Sequence, residues 1–395
     1  MNSGKCVCAT CLEDQALQDF ARERGAVRQC DYCNRIPETA GVVPLADLTL
    51  FMRKAIAAEW CHPDETNSFS SAAEGYMAPI FDAYEVFEEI GFEVANPALM
   101  EDIVAAFAGQ PWCQRNWEML SPSRRCMDGW GSFQYFVKHK RRYSFWYAQD
   151  FDDDDFARFF YANYLPPSKL LDEIASVVNH AALVKSVAAG TIVWRLRLHS
   201  RSKVPAVPEE FTSPPIDHAK QPNRMSPAGV PMFYGADEFD TALRELVDPN
   251  QSDPDTNGKA FSGLQFRNMI PVNLLDLSSV PSPPSYFSPG DQFRRHLLIF
   301  LPKFASDLAQ PITRDERQHI EYVPTQVFTE FVRHIMKGPG GAPIHGIRYR
   351  SSRDGKPCCV IFATQAECLA PRGPFDFTTQ ILEFVPGSLK TIEIP

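Results

Sequence analysis

The stretch from Thr191 to Asp248 constrains the fold of this chain most strongly, because it predicts a strand, a polar turn, a second strand and a helix in succession. In the first strand, arginines alternate with apolar residues, which is the two-residue period of a half-buried strand. Arg195 and Arg197 are therefore expected on one face of it. A turn rich in Pro and Gly follows, and the second strand ends near Gly235.

The helix predicted next carries an acidic side chain. Asp237 or Asp240 can cap this helix, and its apolar residues recur every three to four positions, which places Glu245 on a different face from Leu243. The consequence is a candidate cleft lined by four polar side chains, namely those of Arg195, Arg224, Tyr234 and Glu245.

These residues resemble the pattern of the RES domain, a family named for its Arg, Glu and Ser and found in bacterial toxins that consume NAD. The resemblance covers roughly residues 185–370. The matching positions are Arg195, Arg224-x-x-Pro-x-Gly229, Tyr234, Thr241-Ala-x-x-Glu245 and the late segment Gly346–Arg353, which contains Ser351 and Ser352.

The resemblance implies an α+β domain similar to the fold of ADP-ribosyltransferases, with NAD as the substrate. It implies catalytic roles for Glu245, Arg195 and Ser351, and NAD contacts from Arg195, Arg224, Tyr234 and Ser351, with Ser352 as the alternative serine.

The chemistry of the nicotinamide–ribose bond agrees with these roles. The pyridinium is already a good leaving group, so cleavage mainly requires stabilisation of an oxocarbenium-like transition state, which a carboxylate such as Glu245 can supply. The planar fork of an arginine suits the diphosphate. No recognisable motif pairs Ser351 with a histidine and an acid, so a serine nucleophile is not expected there.

We therefore predict an NAD glycohydrolase or phosphorylase that acts as a toxin or defence effector. Two alternatives stay open. One is ADP-ribosyl transfer to a macromolecule, which differs only in the acceptor. The other is a non-catalytic adaptor for nucleic acid or protein, built on the N-terminal cysteines and helices.

Two Cys-x-x-Cys pairs near the N-terminus predict a structural zinc site formed by Cys8, Cys11, Cys30 and Cys33. Each pair turns two sulfurs towards one point, and four thiolates leave no open position for catalysis. Cys6 is interpreted as a spare thiol that could replace Cys8. The module is either a stabilising cap or a zinc ribbon that holds a partner, and we favour the cap.

Helical periodicity dominates residues 39–185, which predicts an all-helical domain similar to the HEPN-type region that precedes RES domains in some bacterial proteins. No convincing nuclease motif is present, because His139 precedes Arg141 instead of following an arginine, so a scaffold is favoured. The acidic run Asp152–Asp155 reads as a solvated loop or a helix cap.

Beyond the predicted cleft, the chain alternates between strands and helices. An exposed loop is predicted over Pro249–Lys259, strand-like runs over Phe261–Leu277 and His296–Phe300, and a helix from Glu321 to Met336. The three expected domains are a zinc knuckle (1–38), a helical domain (39–185) and a RES-like domain (186–395).

Composition limits the partners. The chain has 395 residues, of which 44% are hydrophobic and 22% charged, and its net charge of -10 argues against broad attachment to nucleic acid or acidic membranes. No spanning segment or signal peptide is recognised, so a cytoplasmic location is expected. Besides NAD, the expected partners are an antitoxin or regulatory protein, and a homo-oligomer stays open.

Overall fold

The computed structural model describes residues 4–393 except 67–68, 72–73, 148–162, 206, 247–258, 289, 291, 311–316, 371–375 and 377. The acidic run Asp152–Asp155 and nearly all of the loop predicted over Pro249–Lys259 lie outside the described residues.

The described chain mixes helices and strands. In chain order, its α-helices are α1 (Gln15–Arg24), α2 (Leu45–Ile56), α3 (Ala83–Glu89), α4 (Pro97–Phe107), α5 (Pro122–His139), α6 (Pro167–His180), α7 (Phe239–Leu246), α8 (Gln292–Ala309), α9 (Gln318–Glu321) and α10 (Val323–His334). Its strands are β1 (Cys6–Cys8), β2 (Val42–Pro44), β3 (Trp60–Cys61), β4 (Phe69–Ser70), β5 (Gly75–Tyr76), β6 (Cys113–Gln114), β7 (Val184–Val187), β8 (Ile192–Ser200), β9 (Phe233–Ala236), β10 (Lys259–Asn268), β11 (Val272–Asp276), β12 (Gly346–Arg350), β13 (Pro357–Ile361), β14 (Leu382–Phe384) and β15 (Lys390–Glu393). None of the described helices is long and apolar enough to cross a membrane.

Two sequence-based predictions were wrong in detail. The strand predicted over His296–Phe300 lies inside α8, where Leu297, Leu298 and Leu301 are buried at helical spacing. The prediction failed because periodicity alone cannot distinguish a short apolar segment of a buried helix from a strand. The region predicted to be all-helical also contains the two-residue strand pairs β3–β6 and β4–β5, which are too short to leave a periodic signal.

The described residues form two compact units. The first comprises the described parts of Met1–Arg125 and Ser282–His296, together with 163–164. Its core takes Leu48 and Met52 from α2 and Leu99 and Ile103 from α4, residues spaced three to four apart so that each helix buries one stripe. The domain boundaries expected at 38 and 185 stay predictions.

The second unit comprises the described parts of Cys126–Asp154, Leu165–Pro281 and Leu297–Pro395. It contains a nine-stranded sheet in the order β14-β10-β8-β9-β13-β12-β11-β7, with β15 also paired to β10. Neighbouring strands are antiparallel except β11 and β12. Leu382 of β14 and Leu274 of β11 share one core although their strands lie near opposite ends of the sheet, so the sheet is curled.

The other face of the sheet is covered by helices. Ile347 and Val360 belong to a second core that also holds Phe304 of α8 and Phe328 of α10. Helix α7 reaches this face through Phe239, whose ring meets Trp194 of β8 edge-on at 5.1 Å. This contact determines where the polar side of α7 lies.

We predict that Gly263→Ala lowers the free energy of unfolding by about 1–3 kcal/mol, the usual cost of overpacking. A Cβ at Gly263 in β10 would lie 2.6 Å from the Phe239 ring and 2.8 Å from Leu196 Cδ1, so α7 would have to move. Urea-induced unfolding measures the change.

The matched control is Gly131→Ala in α5, where a Cβ meets nothing within 4 Å. It should stabilise by roughly 0.5–1 kcal/mol, because alanine is the better helix former. A Gly263→Ala variant as stable as this control would contradict the close packing of α7 on the sheet.

Candidate active site

The loop between β12 and β13 is attached to α7 by two side-chain hydrogen bonds. Ser351 Oγ donates to Glu245 Oε1, and Thr241 Oγ1 donates to Asp354 Oδ2 at 2.9 Å. Thr241 and Glu245 are four residues apart and so lie on the same face of α7. The Thr-Ala-x-x-Glu spacing therefore places both side chains where they can hydrogen-bond to the β12–β13 loop.

A tight turn presents Ser351 to this helix. The Ser351 amide donates to the Lys356 carbonyl at 2.8 Å, and the Gly355 amide donates to the Ser351 carbonyl at 2.9 Å. Gly355 has φ +73°, a left-handed conformation that glycine adopts without strain. Ser351 is 2% exposed whereas Ser352 is exposed, so Ser351 is the serine that contacts Glu245.

A second turn, Asn223–Ser226, carries Arg224 and is fixed by α10. Thr325 Oγ1 donates to the Arg224 carbonyl at 2.5 Å, and Gln326 Nε2 donates to the carbonyls of Asn223 at 2.8 Å and Ser226 at 3.3 Å. Thr325 and Gln326 are both buried. Neither residue was predicted to belong to the site, although both lie in the helix predicted from Glu321.

Two tyrosines lie between these loops. Tyr234 Oη accepts from the Met225 amide at 3.3 Å and lies 3.0 Å from Ser226 Oγ, so it joins β9 to the arginine turn. Tyr349 lies 6.0 Å, ring centre to Cζ, from the Arg224 guanidinium. Burial raises the pKa of Tyr349, and the negative charge of Glu245 raises it further.

Tyr349 belongs to the late Tyr-x-Ser segment of the family resemblance but was not predicted as a site residue. It stands two residues before Ser351 and belongs to the helix-covered core. A two-residue count back from the predicted serine would have indicated it, because alternate residues of a strand share a face.

Arg195 occupies the fork where β8 and β9 separate. These strands pair only at Trp194 and Ala236. Arg195 Nη1 donates to the Tyr234 carbonyl at 2.8 Å, and its Cζ lies 5.6 Å from the Phe233 ring centre. Phe233 belongs to the core inside the curled sheet, whereas the Tyr234 ring packs on the helix-covered core. Arg195 therefore reaches Tyr234 through its backbone.

Arg197 has a different role from its neighbour. Its Nε and Nη2 donate to the carbonyls of Glu210 at 3.1 Å and Thr212 at 2.9 Å, which anchors the loop after β8.

Burial, and then the charge of Arg197, lower the pKa of Arg195 to about 9, so Arg195 keeps its proton at neutral pH.

Two of the predicted arginines have a buried nitrogen without a hydrogen-bond acceptor among the described residues. These atoms are Nε of Arg195 and Nη1 of Arg224. A buried donor without a partner costs about 1–3 kcal/mol, so an acceptor from a ligand would be stabilising. An anion such as a phosphate matches guanidinium donors best.

The four predicted metal ligands meet near the N-terminus. The sulfurs of Cys8, Cys11, Cys30 and Cys33 all lie within 4.8 Å of one another. Cys8 Sγ is 3.5 Å from that of Cys11 and 3.6 Å from that of Cys33, and the Cys11 and Cys30 sulfurs are 3.9 Å apart. A tetrahedral zinc with bonds of about 2.3 Å requires sulfurs about 3.8 Å apart, so the cluster can hold such an ion. Cys6 lies outside it, with its sulfur directed at the Gly4 carbonyl.

Comparison with protein-family models gives two matches. A model described as HEPN/RES N-terminal domain 1 matches residues 23–151, and the RES domain model matches residues 192–379, which contain Arg195, Arg224, Tyr234, Glu245 and Ser351. No curated protein matches the chain. RES domains are generally enzymatic and related to NAD. The chain is therefore a RES-domain protein with an N-terminal HEPN/RES domain.

Proposed function

We propose that this protein cleaves the nicotinamide–ribose bond of NAD, as a glycohydrolase or phosphorylase, and acts as a toxin or defence effector. The observation that carries the proposal is the hydrogen bond between Ser351 and Glu245 inside a matched RES domain. A fold similar to that of ADP-ribosyltransferases is part of the same proposal.

The arginines supply the binding of the diphosphate. Arg224 is held by its backbone, which leaves its guanidinium available to a ligand, and its unpaired Nη1 can donate to a phosphate oxygen. Arg195 has a second unpaired donor at the fork between the strands. Binding at these sites costs little further desolvation of the two donors, because the Nε of Arg195 and the Nη1 of Arg224 are already buried.

Glu245 supplies the negative charge at the sugar. Nicotinamide leaves as a neutral base, so no proton has to be donated to it, and the barrier falls when the positive charge on the ribose is stabilised. Ser351 occupies one oxygen of the Glu245 carboxylate and orients it. The other oxygen faces no donor among the described residues and can accept a ribose hydroxyl.

The tyrosines define the rest of the cleft. Tyr234 is fixed by the arginine turn, which suits a ring that stacks against nicotinamide. The charges of Arg224 and Glu245 both act on the Tyr349 hydroxyl: the first lowers its pKa and the second raises it.

Incubation of the purified chain with NAD tests the proposal. The reaction is run in phosphate and in phosphate-free buffer, and nicotinamide and the sugar product are identified by mass spectrometry. ADP-ribose indicates hydrolysis, its 1-phosphate indicates phosphorolysis, and a protein adduct indicates transfer to a macromolecule.

We predict that Glu245→Gln reduces NAD turnover about 100-fold or more, since a charge acting in the transition state is lost. Glutamine has the same shape and can still accept from Ser351, so the fold should persist. The readout is nicotinamide release under saturating NAD.

The matched control is Glu238→Gln. Glu238 pairs with Lys356 and is half exposed just before α7, so its loss should change turnover by less than about two-fold. Equal turnover in the Glu245→Gln variant and the wild type would refute the role of Glu245.

Gln326→Ala should raise the KM for NAD about ten-fold and change kcat much less. The variant loses two hydrogen bonds that hold the Arg224 turn, each worth roughly 1 kcal/mol, and so loosens the binding of the diphosphate. Glu330→Ala, an exposed position on α10, serves as the control. A fall in kcat with KM unchanged would argue against this positioning role.

We infer that the cysteine cluster binds one structural zinc ion. Cys8, Cys11, Cys30 and Cys33 would hold it as thiolates, and with four protein ligands no position remains for a substrate. The ion would join β1 to the segment that carries Cys30, and so substitute for a larger hydrophobic core.

Cys30→Ser should therefore lose zinc and unfold the N-terminal segment at a lower temperature, whereas Cys6→Ser should keep both zinc and stability. Both cysteines are buried, which makes the pair well matched. The zinc content of the two purified variants is measured by mass spectrometry. Equal zinc in both would exclude Cys30 as a zinc ligand.

An NAD-consuming enzyme depletes the NAD of its own host, so we expect an inhibitor. An antitoxin or the N-terminal half of the chain can supply it. Co-purification and truncation distinguish these sources.

A further inference from the structure

The first unit contains a hydrogen-bonded row of a serine, a histidine and a glutamate. Ser123 Oγ lies 3.1 Å from His296 Nδ1, and His296 Nε2 lies 2.9 Å from Glu59 Oε1. The three residues come from the start of α5, from α8 and from the segment after α2. A nucleophile, a base and an acid that orients the base are the three members of a catalytic triad.

The hydrogen bonds fix the tautomer of the neutral His296 ring. A carboxylate accepts only, so in this ring the nitrogen beside Glu59 carries the hydrogen and the other nitrogen has a free lone pair. That lone pair faces Ser123. His296 is therefore set to accept the serine proton.

Further contacts keep Glu59 in its charged form. Tyr286 Oη donates to Glu59 Oε2 at 3.1 Å, and Arg295 lies 5.2 Å from the Tyr286 ring centre. Burial would raise the pKa of Glu59, but the hydrogen bond from His296, together with Tyr286 and Arg295, holds that pKa below its usual range.

The start of α5 supplies a hydrogen-bond donor for an oxyanion. Ser123 is the second residue of the 18-residue α5, so its amide has no carbonyl partner within the helix. This amide lies at the positive end of the helix dipole, where an oxyanion is stabilised.

We propose that Ser123, His296 and Glu59 form a second catalytic site, a serine esterase centre for small carboxylic esters. Small substrates are specified because Ser123 is 8% exposed and the His296 side chain 14% exposed. The site is separate from the NAD site, since all three residues belong to the first unit whereas Glu245 and Ser351 belong to the second; Glu59 and Ser123 lie outside the RES match, and His296 lies within its bounds.

The reaction proceeds in two balanced halves. Ser123 Oγ attacks the acyl carbon while its proton passes to His296 Nδ1, and collapse of the tetrahedral intermediate expels the alcohol, which takes that proton. Water then attacks the acyl-serine and gives a proton to Nδ1, and Ser123 leaves with it. The sum is an ester and water converted to an acid and an alcohol.

A fluorophosphonate probe on the full-length protein tests the proposal, because such probes react with activated serines and need no substrate to be known. Tandem mass spectrometry locates the adduct, and hydrolysis of 4-nitrophenyl acetate gives the turnover. The wild type should be labelled at Ser123, and heat-unfolded protein should not.

Three variants separate catalysis from packing. Ser123→Ala and His296→Gln should lower labelling and ester turnover about 100-fold or more, the contribution of a nucleophile with its base. Glutamine can keep both hydrogen bonds of His296 but cannot act as the base. Ser121→Ala, the neighbouring hydroxyl without a histidine, should stay within about three-fold of the wild type.

Two results would overturn the proposal. One is a wild type unlabelled at Ser123 while an added serine hydrolase in the same tube is labelled. The other is undiminished labelling of Ser123 in a folded His296→Gln variant, since a serine in a merely structural network does not depend on that base.

Discussion

The hydrogen bond from Ser351 to Glu245 joins two parts of the chain that are 106 residues apart. It attaches the β12–β13 loop to α7, and α7 in turn is held on the sheet by Phe239 beside Gly263. The acid and the serine of the matched RES domain are thus positioned by one interaction. Because a charged acceptor makes this bond stronger than a neutral one, it also resists competition from water.

Two arginines of the RES region are held in place by the fold, but each has a hydrogen-bond donor without an acceptor among the described residues. Backbone carbonyls hold Arg197, and α10 holds the backbone of Arg224, while single nitrogens of Arg195 and Arg224 have no acceptor among the described residues. A protein that buries a donor without a partner loses stability unless a ligand supplies the acceptor. The proposed diphosphate site rests on this imbalance, which is a property of the folded chain alone.

The two compact units offer different chemistry. In the RES region, Ser351 donates to the Glu245 carboxylate directly, without a histidine between them. In the first unit, His296 stands between Ser123 and Glu59. The histidine, whose ring can accept a proton on one side while donating on the other, is what separates the orienting serine from the proposed nucleophile.

The sequence by itself determined the features that depend on near neighbours. The spacing of the cysteine pairs was enough to predict the cluster, because each pair acts within one turn, and the strand–turn–strand–helix order around Arg224 was predicted because each period is local. Tertiary structure alone decided which of Ser351 and Ser352 meets Glu245, that Thr325 and Gln326 hold the arginine turn, and that His296 lies in a helix beside Ser123. These outcomes depend on contacts between residues about a hundred or more positions apart, which are set by how the elements pack, and no local pattern in the chain records that packing.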